Sequence, residues 1–220
     1  MSDDLPSTEL PSTERAREPI FNAPWPVAAL GVLIVGGYGL QTFFPLEAVV
    51  MGWGFTPTLM AARPETLVTA IFLHGSWPHA LMNAAFAVAF GAPVARFLGV
   101  GFRGVAAFVL FYLATGILAN LSFAAVHPHE AIPLVGASGA VSGLMGGTAR
   151  LIAGRGWRIG PIFSPPVLTL GAATIVVNLL VVLTGLAPGL DGATIAWEAH
   201  LGGYLAGVLL IPVAARLARG

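Results

Sequence analysis

Apolar positions run through this chain in long stretches, and polar positions are gathered into the gaps between them. No Asp, Glu, Lys or Arg occurs from Val27 to Phe44, from Gly104 to Val126, or from Gly160 to Leu190. Uninterrupted apolar stretches of about 18 residues or more read as membrane-spanning helices. The pattern predicts six such segments, roughly at 25–45, 77–99, 104–125, 138–154, 167–187 and 195–216. Turn-forming residues punctuate them: Pro57 to Pro64, Gly99 to Gly104, Pro128 to Gly136, Gly154 to Pro166, and Pro188 to Gly192. The expected fold is all-α, a polytopic membrane protein with a six-transmembrane-helix bundle.

Residues 1–23 break this pattern. They form a polar stretch with a direct repeat, Leu5 to Glu9 followed by Leu10 to Glu14, rich in Pro, Ser, Thr and Glu. Such a composition has little to bury, so a disordered cytoplasmic tail is expected there, followed by one membrane domain over 24–220.

The positions of the basic residues orient the bundle. All ten are arginine. With the N-terminus inside, Arg15, Arg17, Arg96, Arg103, Arg150, Arg155, Arg158, Arg216 and Arg219 fall on the cytoplasmic side, and Arg63 alone falls outside. That asymmetry is the positive-inside signature, and one helix more or fewer would scatter it. Both termini are therefore expected in the cytoplasm, and a chain without lysine, rich in Ala, Gly and Arg, fits a bacterial inner (plasma) membrane.

Composition then narrows the chemistry. The chain is 56% hydrophobic and 9% charged, against about 25% charged residues in soluble domains. Its formal net charge is zero, so no basic surface points to nucleic acid. Cysteine is absent, which removes thiolate catalysis, disulfides and cysteine metal sites together. The nucleophile of any enzymatic reaction is a serine or threonine hydroxyl, a carboxylate or an activated water.

The fourth segment is short. About 16 residues at 1.5 Å each reach about 24 Å, less than a hydrocarbon core of about 30 Å. The loop before it carries Pro128, Pro133 and Gly136 and is expected to dip into the bilayer, which requires protein or a water-filled cavity around it. This short helix opens with Gly136-Ala137-Ser138-Gly139. A serine there sits beside unpaired backbone N–H groups, the donors an oxyanion needs. Taken alone, Gly139, Gly143 and Gly146 also read as a plain helix-packing surface.

Two further polar clusters fall at the same end of the predicted bundle. His200 lies near the outer end of the sixth segment, and ionisable residues in a span are costly enough to be functional candidates. Gly203 and Gly207, four apart, let this helix approach another backbone, with the glycine-rich fourth helix as the natural partner. His79 and Asn83 share one face of the second helix, and His74 precedes Pro78 in the entering loop. Each cluster alone is equally a packed polar residue or a tie between loop and helix.

Taken together, these residues resemble the rhomboid family of intramembrane serine proteases. The resemblance is carried by Gly136-Ala137-Ser138-Gly139, by the His74, His79 and Asn83 spacing, and by Ala199-His200 with Gly202-Gly203. These follow one another in the order of the family's second, fourth and sixth helices and cover roughly residues 27–216. The resemblance implies a Ser138 nucleophile with His200 as general base and acid. It implies an oxyanion hole from the Ser138 N–H, His79 and Asn83, with Gly136, Gly139 and His74 supporting the site. It further implies single-span membrane protein substrates, cut near the outer end after a small residue, in contact with the lipid bilayer and with no cofactor. Two positions depart from the family pattern. Ser142 stands where many relatives carry an aromatic residue four after the serine, and Glu65-Thr66 stand where many carry Trp-Arg.

A Ser–His–carboxylate triad is not expected. Glu198 is two positions from His200, about 200° around the helix, and Asp191 falls in the preceding loop. A zinc protease helix with the His-Glu-x-x-His spacing is absent, so no metal is expected, and no pair of aspartates lies within spans, which excludes an aspartyl intramembrane protease. The competing reading is a catalytically inactive rhomboid-like protein that binds membrane segments. Such proteins lack the serine or the histidine, and this chain has both.

Overall fold

A computed structural model describes residues 23–184 and 196–220. The expected tail, the turn at 188–192 and Asp191 lie outside the described residues, apart from residue 23. Eight α-helices run in the order α1 (Trp25–Gln41), α2 (Leu46–Trp53), α3 (Thr66–Thr69), α4 (Trp77–Leu98), α5 (Phe102–Val126), α6 (Ser138–Ala153), α7 (Pro165–Thr184) and α8 (Trp197–Arg219). Among the described residues the only extended pairing is one antiparallel bridge, between Phe55 and Leu134.

The six apolar segments correspond to α1 and α4 to α8. Of these, α4, α5, α7 and α8 are long and apolar enough to cross a membrane, while α1 and α6 have 17 and 16 residues. The first segment ends sooner than hydropathy suggests. Turn bonds from Phe43 N–H to the Leu40 carbonyl and from Phe44 N–H to the Gln41 carbonyl close α1. Pro45 then opens α2 as its N-cap. The break, Gln41-Thr42-Phe43-Phe44-Pro45, carries two polar residues and a proline but no charge, so the charge-free stretch alone does not mark it. The following stretch, expected only as punctuation, contains α2, α3 and two 3-10 turns at Pro57–Leu59 and Ala70–Phe72.

The short helix α6 is the centre of the bundle, with twelve of its sixteen residues buried. Its glycines make this possible. A side chain at Gly139 would strike Ala119 of α5, and one at Gly143 would strike Thr115 of the same helix. From α8, Gly203 lies directly on the Gly139 carbonyl and Gly207 on the Gly143 carbonyl, while Gly146 faces the Tyr204 carbonyl. Small residues four apart on three helices thus let α5, α6 and α8 approach at backbone contact. In a lipid solvent, such close van der Waals packing replaces the hydrophobic effect as the force between helices.

Outer faces of the bundle are apolar. Leu168, Ile175, Val176, Leu179, Leu180 and Leu183 are exposed on α7, as are Leu205 and Leu209 on α8. At one end, seven arginines gather at helix termini: Arg96 closes α4, Arg103 opens α5, Arg150, Arg155 and Arg158 end or follow α6, and Arg216 and Arg219 close α8. Arg150 is buried there, donating from Nη1 to the Val208 carbonyl at 2.8 Å and from Nε to the Gly160 carbonyl at 2.5 Å. It therefore fastens the loop after α6 to α8.

Candidate active site

The opposite end of the bundle holds the polar clusters. There the loop leading to α6 is stitched to the α1–α4 connection. Phe55 and Leu134 exchange both backbone bonds, at 2.9 and 2.7 Å, and the Gly136 N–H donates to the Ala70 carbonyl at 2.9 Å. Gly136 takes φ +133°, a backbone conformation that side-chain-bearing residues rarely adopt. A Cβ on it would stand 2.9 Å from His79 Nε2. Only glycine lets this loop pass His79 and turn into α6 without strain.

Ser138 is the first residue of α6, and its N-cap Ala137 provides no side-chain hydrogen bond. The N–H groups of this first turn therefore keep their donor capacity. His200 lies in the first turn of α8, with its N–H on the Ala196 carbonyl. The glycine contacts between α6 and α8 begin at Gly139 and Gly203, one position after Ser138 and three after His200. That register places His200 Nε2 2.7 Å from Ser138 Oγ. The other ring nitrogen, Nδ1, lies 2.7 Å from Asn178 Oδ1 on α7.

His79 and Asn83 are fixed by the start of α4. Ser76 caps this helix, its hydroxyl accepting the His79 N–H at 3.3 Å, and Pro78 occupies the first turn. Both side chains are buried on the face toward α6. Asn83 Nδ2 and His79 Nδ1 have no hydrogen-bond partner among the described residues. His74 is fully buried behind His79, their rings edge to face with centroids 5.1 Å apart. Its backbone is clamped by Gln41, which donates to the His74 carbonyl at 3.2 Å and accepts its N–H at 3.0 Å.

A cavity of about 550 Å³ opens onto these groups. Ser138, His200, His79, Asn83 and Asn178 form its polar part, and Met82 and Phe86 of α4 with Val177 and Val181 of α7 form apolar walls. Ser142 is also on its lining, one turn into α6. The structure thus brings Ser138, His200, His79, Asn83, Gly136 and Gly139 around one space, with His74 outside it. Gly139, Gly143, Gly146, Gly203 and Gly207 lie in the helix contacts beneath.

Glu198 makes no bond to His200, whose ring nitrogens are on Ser138 and Asn178. Its Oε1 is 2.8 Å from His127 Nε2, at the C-terminal end of α5. Glu65 pairs with Arg63 at 3.5 Å, and Thr66 Oγ1 donates to the Arg63 carbonyl at 2.7 Å. Arg63 in turn donates to the Met51 and Gly52 carbonyls at the end of α2. This departure from the family pattern is thus built into the connection between α1 and α4. Glu130 Oε1 accepts the N–H groups of Ala131 and Ile132, both at 2.9 Å. No group of three or more His, Cys, Asp or Glu side chains suited to a metal ion occurs among the described residues.

Asn178 is the residue that sequence reasoning did not single out. The signal was present: an amide inside the charge-free fifth segment is costly in lipid and calls for a partner. What pointed to no particular partner was its setting, apolar residues on every side.

Comparison with known proteins identifies a family for the chain. A family model described as the rhomboid domain matches residues 61–217. A Bacillus subtilis (strain 168) protein named "Putative rhomboid protease YdcA" is 32% identical over 177 residues, covering 78% of this chain and 80% of the relative.

Proposed function

Because the chain belongs to the rhomboid family, integral multi-pass membrane proteins that act on membrane proteins within the bilayer, we propose that it is an intramembrane serine endopeptidase working through a Ser138–His200 dyad. The observation that carries this reading is the 2.7 Å contact between His200 Nε2 and Ser138 Oγ at the mouth of an uncapped helix N-terminus. A serine hydroxyl attacks a carbonyl at neutral pH only with a base at this range.

In the proposed reaction, Ser138 Oγ bonds to the scissile carbonyl carbon and its proton passes to His200 Nε2. The carbonyl oxygen becomes an oxyanion, which accepts hydrogen bonds from the Ser138 N–H, Asn83 Nδ2–H and the His79 ring. The Asn83 amide donor, left without a partner among the described residues, supports this role. Collapse breaks the C–N bond, and His200 returns its proton to the leaving amine. Water, deprotonated by His200, then adds to the acyl-serine, and Ser138 leaves with the proton. Gly136 lets the loop pass close to His79, and Gly139 sets the contact with α8 that holds the dyad together.

The substrate is a single-span membrane protein segment, cut near its outer end. The apolar walls between α4 and α7 suit such a segment, and the polar end of the cavity supplies the water the reaction consumes. Six spans, a polar N-terminal tail and both termini in the cytoplasm of a bacterial inner membrane complete the reading. The gathering of seven arginines at the end away from Ser138 supports that orientation.

The test is labelling of the purified protein by a serine-reactive fluorophosphonate. Wild type becomes labelled, and Ser138→Ala and His200→Ala do not. A folded wild-type protein that stays unlabelled would move the assignment to an inactive family member that binds membrane segments.

A further inference from the structure

We propose that Asn178 is a positioning residue for His200, holding the imidazole in the one tautomer that can accept the Ser138 proton. The inference rests on the Ser138–His200 reading above and extends it to a residue on a different helix.

The argument is one of donors and acceptors. To take the proton of Ser138 Oγ–H, Nε2 must present a lone pair, so the ring proton must sit on Nδ1. Nδ1–H then needs an acceptor 2.7 Å away, where the Asn178 amide lies. The amide has two ends, and only its oxygen accepts. Its orientation is fixed by the second bond it makes: Asn178 Nδ2 donates to the Thr174 carbonyl, also at 2.7 Å. With the NH₂ group committed to the α7 backbone, Oδ1 faces the histidine. The chain of bonds runs in one sense throughout, from Ser138 O–H to Nε2, from Nδ1–H to Oδ1, and from Nδ2–H to the Thr174 carbonyl. Reversing any member would place two donors or two acceptors face to face.

Other candidates for the task are engaged elsewhere or lack the reach. Glu198 is bonded to His127. Ser142 makes no hydrogen bond to His200, whose two ring nitrogens are engaged by Ser138 and Asn178. Asn178 is buried, one of three buried residues on α7 with Val167 and Thr174. A neutral amide suits this place. Such an amide orients the ring with no charge of its own, as in Cys-His-Asn proteases.

The test uses the full chain in lipid nanodiscs with ¹⁵N-labelled histidine. The protein has five histidines, and the His200 signals are assigned by their loss in His200→Gln. Wild type is expected to show His200 protonated at Nδ1 and bare at Nε2, and Asn178→Ala to lose this single-tautomer signature. This readout needs no activity, so it decides the inference even if fluorophosphonate fails to label wild type, an outcome that would count against the protease reading alone. Where wild type is labelled, Asn178→Ala slows kinact about ten- to a hundredfold, the usual worth of a partner that orients a histidine, with KI unchanged. Asn178→Asp, which keeps an acceptor oxygen, recovers most of that rate. A wild-type His200 protonated at Nε2, an Asn178→Ala protein labelled at the wild-type rate, or an Asn178→Asp protein as slow as Asn178→Ala would each overturn the proposal.

Discussion

His127 at the end of α5 and Glu198 in the first turn of α8 are joined by a 2.8 Å contact between Nε2 and Oε1. The carboxylate next but one to His200 is thereby engaged in holding α8 to α5, with Glu198 itself buried. Replacing His127 by Ala leaves that carboxylate without its partner. The expected result is a loss of about 1–3 kcal/mol in stability, read as a lower melting temperature in detergent. Fluorophosphonate labelling at permissive temperature should persist. Abolished labelling in a folded His127→Ala protein would show that Glu198 acts on His200 after all.

The glycines of α8 make a second prediction. A methyl group at Gly207 would run into the Gly143 carbonyl, and one at Gly203 into the Gly139 carbonyl. Neither carbonyl can retreat without moving a helix. Gly203→Ala and Gly207→Ala should each cost about 1–3 kcal/mol as overpacked contacts. Gly203→Ala should slow labelling more at equal stability, because its contact lies beside Ser138 and His200. Equal melting temperatures for both variants and wild type would contradict the close helix approach.

Asn83→Ala removes a donor with no other engagement among the described residues. If it serves the oxyanion, turnover of a peptide substrate falls about 10²–10³-fold with little change in KM. A change confined to KM would reassign Asn83 to substrate binding.

Gly136→Ala combines an unfavourable φ with a Cβ that meets His79 at 2.9 Å. The loop must shift, and His79 with it. Labelling should drop at least tenfold, a loss of roughly 1.4 kcal/mol in transition-state stabilisation, while the melting temperature changes by only a few degrees. Unaltered labelling kinetics would remove Gly136 from the site.

The sequence by itself determined the helices and which residues belonged under suspicion. A helix in lipid satisfies its own backbone, so about 20 apolar residues suffice to specify it locally. Glycine spacing on α6 and α8 is likewise a local property, and it marks the surfaces able to meet at backbone contact. His200 stood out because an ionisable residue is costly in a span, Ser138 because it opens a helix, and His79 and Asn83 because they share one helix face; their order and spacing together carried the family resemblance. Local pattern had less to say where a charge-free stretch continues across a break, as from Gln41 to Leu46, or where a short apolar helix such as α2 does not span.

Only the tertiary structure decided who faces whom. A helix that is apolar on all sides, such as α7, carries no amphipathic stripe to tell its inner face from its lipid face. The direction in which Asn178 points therefore depends on how α7 seats against α6 and α8. Glu198 and His127, 71 positions apart, and Asn178 and His200, 22 apart, meet through helix register alone. Register is set by small residues on several helices at once, and no single segment contains it.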